Sequence, residues 1–186
     1  MAAPKEMTTK DFSGKFCMNK ALSDDTDDVL YLQNVGWVTR KAIQLASITL
    51  DIKHYTSPED HKEHIDIVQT LTGGIKGTTE LRTLDWQERS HSDHIFGNIV
   101  GKSRRLGLED VEDEFLKTGW LLEEGSEASF VESFVVSGEH GWTAQQIWGF
   151  EEIDDEKKYV RHLKFTKGSD KVLTKKLVYD YIGPAP

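Results

Sequence analysis

Apolar and polar residues alternate along most of this chain with a period of two. In "SITLDIKHY", Ile48, Leu50 and Ile52 fall on one face, and His54 continues it. "HIDIVQTL" places Ile65, Ile67, Gln69 and Leu71 together. The same pattern runs through "ELRTLDWQER", "HIFGNIVGKS", "FLKTGWLL", "ASFVESFVVS", "TAQQIWGFEEI", "KYVRHLKFTK" and "KVLTKKLVYDYI". Successive strand side chains point to opposite faces, so these segments are predicted as strands. Turn signals separate them at Gly73-Gly74, Glu124-Gly125-Ser126, Gly138 to Gly141, Asp154-Asp155 and Lys167 to Asp170.

Helical signals concentrate near the front. Ser23 followed by Asp24 and Asp25 reads as an N-cap with acidic residues in the first turn. "DDVLYLQNVG" is predicted as one short helix ending near Gly36, and "VTRKAIQLA" as a second. "LEDVEDEFL", 108–116, is predicted as a third short helix or turn. About nine or ten antiparallel strands behind a helix-turn-helix form a mainly β chain, a single up-and-down β-barrel with a lid. Residues 1–186 are expected as one domain, with 1–10 and 184–186 as flexible tails.

Composition narrows the function classes. Apolar residues make up 37% and charged residues 30% of the 186. No stretch approaches the roughly 20 apolar residues of a membrane helix, so no membrane span is expected. The net charge is −9, and the basic clusters "GKSRR" and "TKK" are short. A nucleic acid or an anionic membrane surface is therefore not expected as a main partner. Acidic runs at Asp24–Asp28, Glu109–Glu114 and Glu151–Glu156 read as solvated turns or helix starts. "MAAPKEMTTKDFSG" has no apolar signal region, and one cysteine, Cys17, allows no internal disulfide. Both point to a cytoplasmic setting.

Five short stretches, in order, resemble the cytosolic fatty-acid-binding proteins, a branch of the calycin (lipocalin-like) barrels. "DFSGKF", Asp11–Phe16, resembles their first-strand signature. Gly36-Trp-Val-Thr39-Arg40-Lys41 resembles the Gly-x-x-x-Thr-Arg-Lys end of their lid, one residue short. Gln146-Ile147-Trp148 resembles their Gln-x-Trp strand, Val160-Arg161-His162-Leu163 their Val-Arg-Glu-Leu segment, and "VLTKKLVYDYIG" their last strand. The match covers about 11–55 and 142–183; the middle is longer than in that family. The resemblance implies that Arg161 takes the place of one of two arginines that hold a fatty-acid carboxylate with a tyrosine. Tyr181 falls on the terminal tyrosine by motif, or on the second arginine by ungapped spacing, and keeps the same face either way. Tyr179 shares that face. The second arginine is then absent, which implies a neutral or phenolic ligand. The size, barrel layout and Trp-rich strands also resemble fungal natural-product pericyclases, among them hetero-Diels–Alderases.

Other chemistry finds little support. His61 and His64, and His91 and His94, are His-x-x-His pairs, but strand spacing sends i and i+3 to opposite faces. No cysteine cluster or third ligand accompanies them, so no metal is expected. There is no Gly-x-Ser-x-Gly elbow, and Gly97 and Gly101 make no phosphate loop. Cys17 reads as a small barrel residue, and no cofactor is expected. The "ERSHSDH" set of Arg89, His91, Asp93 and His94 reads as a hairpin end. Trp86, Trp120, Trp142 and Trp148 fall in segments predicted as strands, and Trp37 in the lid. In a barrel wide enough to keep a cavity, such residues pack the core or line a ligand.

The expected site therefore comprises Arg161, Tyr179 and Tyr181 as catalytic groups. His54, Gln69, Trp86, Trp120, Gln146 and Trp148 are expected to touch ligand. Two functions fit: a cofactor-independent pericyclase of hetero-Diels–Alder type acting on a hydrophobic small molecule, or a carrier of a hydrophobic metabolite. A homodimer is compatible with either.

Overall fold

A computed structural model describes residues 1–73, 77–122 and 129–185. The strands are β1 (Gly14–Met18), β2 (Ile48–Thr56), β3 (Glu63–Leu71), β4 (Thr78–Thr83), β5 (Arg89–Asp93), β6 (Gly97–Leu106), β7 (Phe130–Ser137), β8 (Trp142–Ile153), β9 (Glu156–Lys167) and β10 (Lys171–Gly183). Two helices, α1 (Asp27–Leu32) and α2 (Trp37–Leu45), connect β1 to β2, and a single turn, α3 (Glu114–Lys117), precedes β7. The ten strands form one antiparallel sheet in the order β4-β3-β2-β1-β10-β9-β8-β7-β6-β5. Except for the β1–β10 pair, every neighbour in this order is also a neighbour in sequence, the up-and-down arrangement that short turns produce. Asp154 and Asp155, both at positive φ (53° and 59°), make the tight β8–β9 turn whose twist matches its strands.

No ladder joins β4 to β5. Side chains bring the two ends of the curled sheet together instead. Arg105 of β6 grips the Glu63 carboxylate of β3 with Nη2 at 2.5 Å and Nε at 2.9 Å. One backbone bond adds to this: the Trp86 main-chain N–H donates to the Ser103 carbonyl at 2.8 Å.

The register fixes the inner face. Phe16 faces Leu50 across β1 and β2, Tyr159 faces Tyr179 across β9 and β10, and Trp148 faces Arg161 across β8 and β9. Phe16, Leu50, Trp148, Tyr159 and Tyr179, with Phe12, Ile52, Ile65, Ile67 and Phe150, belong to the main core. A second core lies on the outside of the wall. There Leu116 and Trp120 press the α3 segment onto Ile147, Val160 and Val178, which point outward from β8, β9 and β10. In the middle of these strands both faces are covered, so Ile147, Val160 and Val178 are buried on the outside as Trp148, Tyr159 and Tyr179 are on the inside. Gly149 allows this close approach: a Cβ there would stand 2.7 Å from the Phe130 ring and 2.9 Å from that of Trp120.

Several expectations are corrected. "FLKTGWLL" is α3 and a following loop rather than a strand, with Asp113 capping α3 by accepting the Phe115 and Leu116 N–H groups. Trp86 is also outside the strands, in the β4–β5 connection at φ 60°. Ser23 caps no helix, because its hydroxyl is engaged by the Val178 N–H and C=O of β10; α1 starts four residues later, with Asp27 and Asp28 in its first turn. Glu151 is no solvated turn residue but 3% exposed beneath α3. The first ten residues are not a free tail: Ala3 and Thr9 are buried, and the Ala3 N–H bonds the Lys157 carbonyl at 2.7 Å. Gly74 and the Glu124-Gly125-Ser126 turn lie outside the described residues.

Candidate ligand-binding interior

Arg161 is the centre of the inner face. Its side chain is 5% exposed. The guanidinium carbon lies 4.1 Å from the Trp148 ring centroid, 5.6 Å from that of Tyr159 and 5.8 Å from that of Tyr179. Nε donates to the Tyr159 hydroxyl at 2.8 Å. Nη1 lies 3.6 Å from Oε1 of Glu80, which reaches across the interior from β4. Nη2 is buried and has no partner among the described residues. A guanidinium offers five N–H donors, and a buried unmet donor costs about 1–3 kcal/mol, so this group is set up to receive an acceptor.

The electrostatics keep Arg161 charged. Burial would lower its affinity for the proton, but the Tyr159 phenol and the Glu80 carboxylate outweigh that and push it above its ordinary value. Burial likewise opposes the Glu80 anion, yet Arg161 and Arg82 hold its carboxyl below the usual range. Arg82, also on β4, donates from Nη2 to Oε2 of Glu80 at 3.0 Å, and its own Nε is buried and unpartnered. Burial raises both Tyr159 and Tyr179, with Arg161 opposing, so both phenols stay protonated.

The other expected residues divide into three groups. Trp148 and Tyr179 belong to the Arg161 cluster, and Gln146 joins it by accepting the Trp148 indole N–H at 2.9 Å. Tyr181 faces inward but meets Phe16 edge-on at 5.6 Å instead of Arg161. Gln69 also faces inward, between Leu50 and Thr78 in register. His54 is a structural link: Nδ1 accepts the Phe12 N–H at 3.0 Å, and Nε2 lies 2.7 Å from Glu63, which Arg105 also holds. An Nδ1 that accepts carries no proton, so His54 is neutral and donates from Nε2. Trp86 and Trp120 are not brought to this group. Lys102 and Arg104 sit against the Trp86 ring at 4.6 and 4.2 Å, and Trp120 packs in the outer core with its N–H on the Leu116 carbonyl at 2.9 Å. Sequence reasoning missed Tyr159, Glu80 and Arg82.

Gln69, Glu80, Arg82 and Gln146 keep partial exposure although their register points them inward, so solvent reaches this part of the interior. A separate cavity of about 250 Å³ lies under the lid edge, between Leu30, Arg40 and Ile43 of the helices and Met18 and Ile48 of the barrel rim. The Arg161 cluster is not part of its lining. The lid is tied to the wall by lysines rather than by its own caps. Lys167 donates to the last carbonyl of α1 at 2.6 Å, and Lys20 to Gln44 and Ala46 at the end of α2. Arg40 holds α2 to α1 through Asp27 at 3.1 Å and lies over the Tyr31 ring. Among the described residues no three His, Cys, Asp or Glu side chains gather as a metal site would require, and no helix is long and apolar enough to cross a membrane.

The same arrangement exists in solved structures. The fatty acid binding protein of Schistosoma mansoni, in complex with arachidonic acid, superposes with a TM-score of 0.56 over 92% of this chain and 96% of that one, at 15% identity. The fold is that of the fatty-acid-binding-protein β-barrels. Within that fold, the sequence is similar to a different set of proteins. Pericyclase pydY of Acremonium sp is 29% identical over 186 residues, 99% of this chain and 98% of that one. Probable pericyclase scpY of Mollisia scopiformis is 28% identical over 184 residues, 98% and 96% of the two chains. No family model matches this chain.

Proposed function

We propose that this barrel is a cofactor-independent pericyclase that folds a hydrophobic, carbonyl-bearing polyene in its interior. The observation that carries this reading is full-length similarity to two proteins named as pericyclases, 29% and 28% identical. The Arg161 cluster supplies the chemistry to match. A pericyclic addition turns two π bonds into two σ bonds with no leaving group and no net redox change. The barrel needs only to hold the reacting ends together and polarise the acceptor. Holding two groups in a reactive pose provides effective molarities up to about 10⁵–10⁸ M in favourable cases. The Trp148, Tyr159 and Tyr179 rings are apolar walls for such a pose. The free Nη2–H of Arg161 donates to a carbonyl conjugated with the reacting π system, where charge grows in the transition state. Tyr179, kept protonated, is a second donor beside it. In the hetero-Diels–Alder form, the carbonyl oxygen itself bonds to the alkene. Tyr181 serves as a wall near Phe16.

Exchanging the Arg161 donor tests this. In Arg161→Ala, folded by circular dichroism, the rate of cyclisation and its stereoisomer ratio are expected to fall towards those in buffer. Unchanged rate and ratio would remove Arg161 from the chemistry.

A carrier is the second reading, favoured by the likeness in fold to fatty-acid-binding proteins and by the cavity beneath the lid. Native mass spectrometry of protein from its source separates the two, since a carrier retains an unmodified hydrophobic metabolite.

A further inference from the structure

Glu80 decides what Arg161 can hold. A carboxylate is gripped best by two parallel N–H donors of one guanidinium. Arg161 has no such pair to offer. Nε is taken by the Tyr159 hydroxyl, Nη1 faces Glu80, and Nη2 alone is unpartnered. Glu80 also places a fixed negative charge beside that free donor. Arg82 binds the other Glu80 oxygen at 3.0 Å, so the carboxylate stays ionised and held by both guanidiniums. A neutral carbonyl asks for one donor and, carrying no net charge, is repelled by Glu80 far less than an anion is. A carboxylate wants two donors and is repelled by it. Arg161 itself is 5% exposed, so its interactions are weakly screened even though solvent reaches Glu80. The absence of a second arginine on the last strand is thus not the decisive difference from a carboxylate clamp. Arg82 supplies a second guanidinium from the opposite wall, and Glu80 stands between it and Arg161.

We propose that Glu80 is a specificity-determining residue that makes the interior a receptor for an uncharged carbonyl, such as a ketone or amide, and turns away carboxylates of equal chain length. This rests on the reading of the barrel as a binder of hydrophobic molecules. Glu80 acts by occupying and orienting Arg161; it is a positioning residue with no contact to the reacting atoms required of it. It lies on β4, the strand that has no ladder partner on its outer side, and retains 22% side-chain exposure. A ligand therefore meets it directly.

The test compares oleate with oleamide, two ligands with the same chain and different heads. Each displaces Nile red from the purified full-length protein at pH 7.5, and the ratio of their midpoints is read. The wild type is expected to prefer oleamide by tenfold or more. Glu80→Gln is expected to shift the ratio at least tenfold towards oleate. Arg82→Gln, which leaves Glu80 facing Arg161 alone, is expected to shift it further towards oleamide, and carries the test by itself if Glu80→Gln does not fold. A purely structural role for Glu80 would weaken both ligands alike. Equal ratios in all three proteins would overturn the proposal while leaving the ligand-binding reading intact. Failure of both ligands to displace the dye from the wild type would overturn the ligand-binding reading and this inference with it.

Discussion

The Arg161 guanidinium carbon lies over the Trp148 ring, 4.1 Å from its centroid, with its Nε on the Tyr159 hydroxyl. The ring contact and the hydrogen bond to the phenol hold the guanidinium from two sides. The direction of the remaining N–H donors is then set before any ligand arrives. A preoriented donor costs nothing to reorganise during reaction, which is what makes it effective at a transition state.

Lysine cannot reproduce this. It keeps the charge but has no planar fork to stack or to divide between Tyr159 and a ligand. Arg161→Lys is expected to fold and to lose at least tenfold in cyclisation rate, measured by product formation under single-turnover conditions. A rate within twofold of the wild type would mean that charge alone suffices.

Tyr159 separates orientation from charge. Tyr159→Phe leaves the ring in the core and removes only the acceptor for Arg161 Nε. One buried donor is then unmet, at about 1–3 kcal/mol of stability. The expected result is a lower urea midpoint of unfolding together with a changed stereoisomer ratio. A stability loss with the ratio unchanged would make the contact structural only.

The strands were readable because strand geometry is local. The two-residue period of β2, β3 and β7 to β10 survives in the sequence whatever packs against them. The resemblance of the two ends to fatty-acid-binding proteins pointed to the fold the solved structures have. Glu80 and Arg82 were missed because β4 inverts the usual rule. Leu81 points out and is 69% exposed, while the charged residues on either side point in. By the usual rule the apolar residue would face inward, and only the pairing with β3 shows otherwise. Tyr159 could have been found, since it shares the face of Arg161 two residues away. Trp120 could not, because its place depends on α3 folding over the outer wall, a contact that no periodicity records. Glu151 is similar: its burial comes from His162 at 2.5 Å and Lys176 at 2.7 Å, both remote in sequence.

The outer position of Trp120 gives a clean contrast. Trp120→Ala removes a large buried ring from beneath α3 and should cost about 3–5 kcal/mol. Thermal or urea unfolding is expected to show that loss, with the oleate-to-oleamide ratio unchanged. A changed ratio without a stability loss would move Trp120 to the ligand.

Acid should loosen the seam between the sheet ends. Burial opposes the Glu63 anion, but His54 and Arg105 overcome that and hold the carboxyl down at about 2. A depressed folded value means the stabilisation is complete above the unfolded value of 4.5 and is lost as pH falls towards about 2. Urea midpoints are therefore expected to drop between pH 5 and 2, as a range set by those two values. Glu63→Gln should start lower at pH 7 and fall less steeply across that range. Parallel curves would show that the Glu63 seam contributes nothing to the pH dependence.

The central claim is that the interior performs chemistry on what it binds. The most direct measurement uses a synthetic triene ketone with a remote alkene that cyclises slowly in buffer to a mixture of diastereomers. Its binding is followed by tryptophan fluorescence and its products by chiral chromatography, with wild type and Arg161→Ala in parallel. The account predicts faster cyclisation to one dominant diastereomer with the wild type, and a return towards the buffer mixture with the variant. A ketone that binds the wild-type barrel and yet cyclises at the buffer rate to the buffer mixture would contradict it.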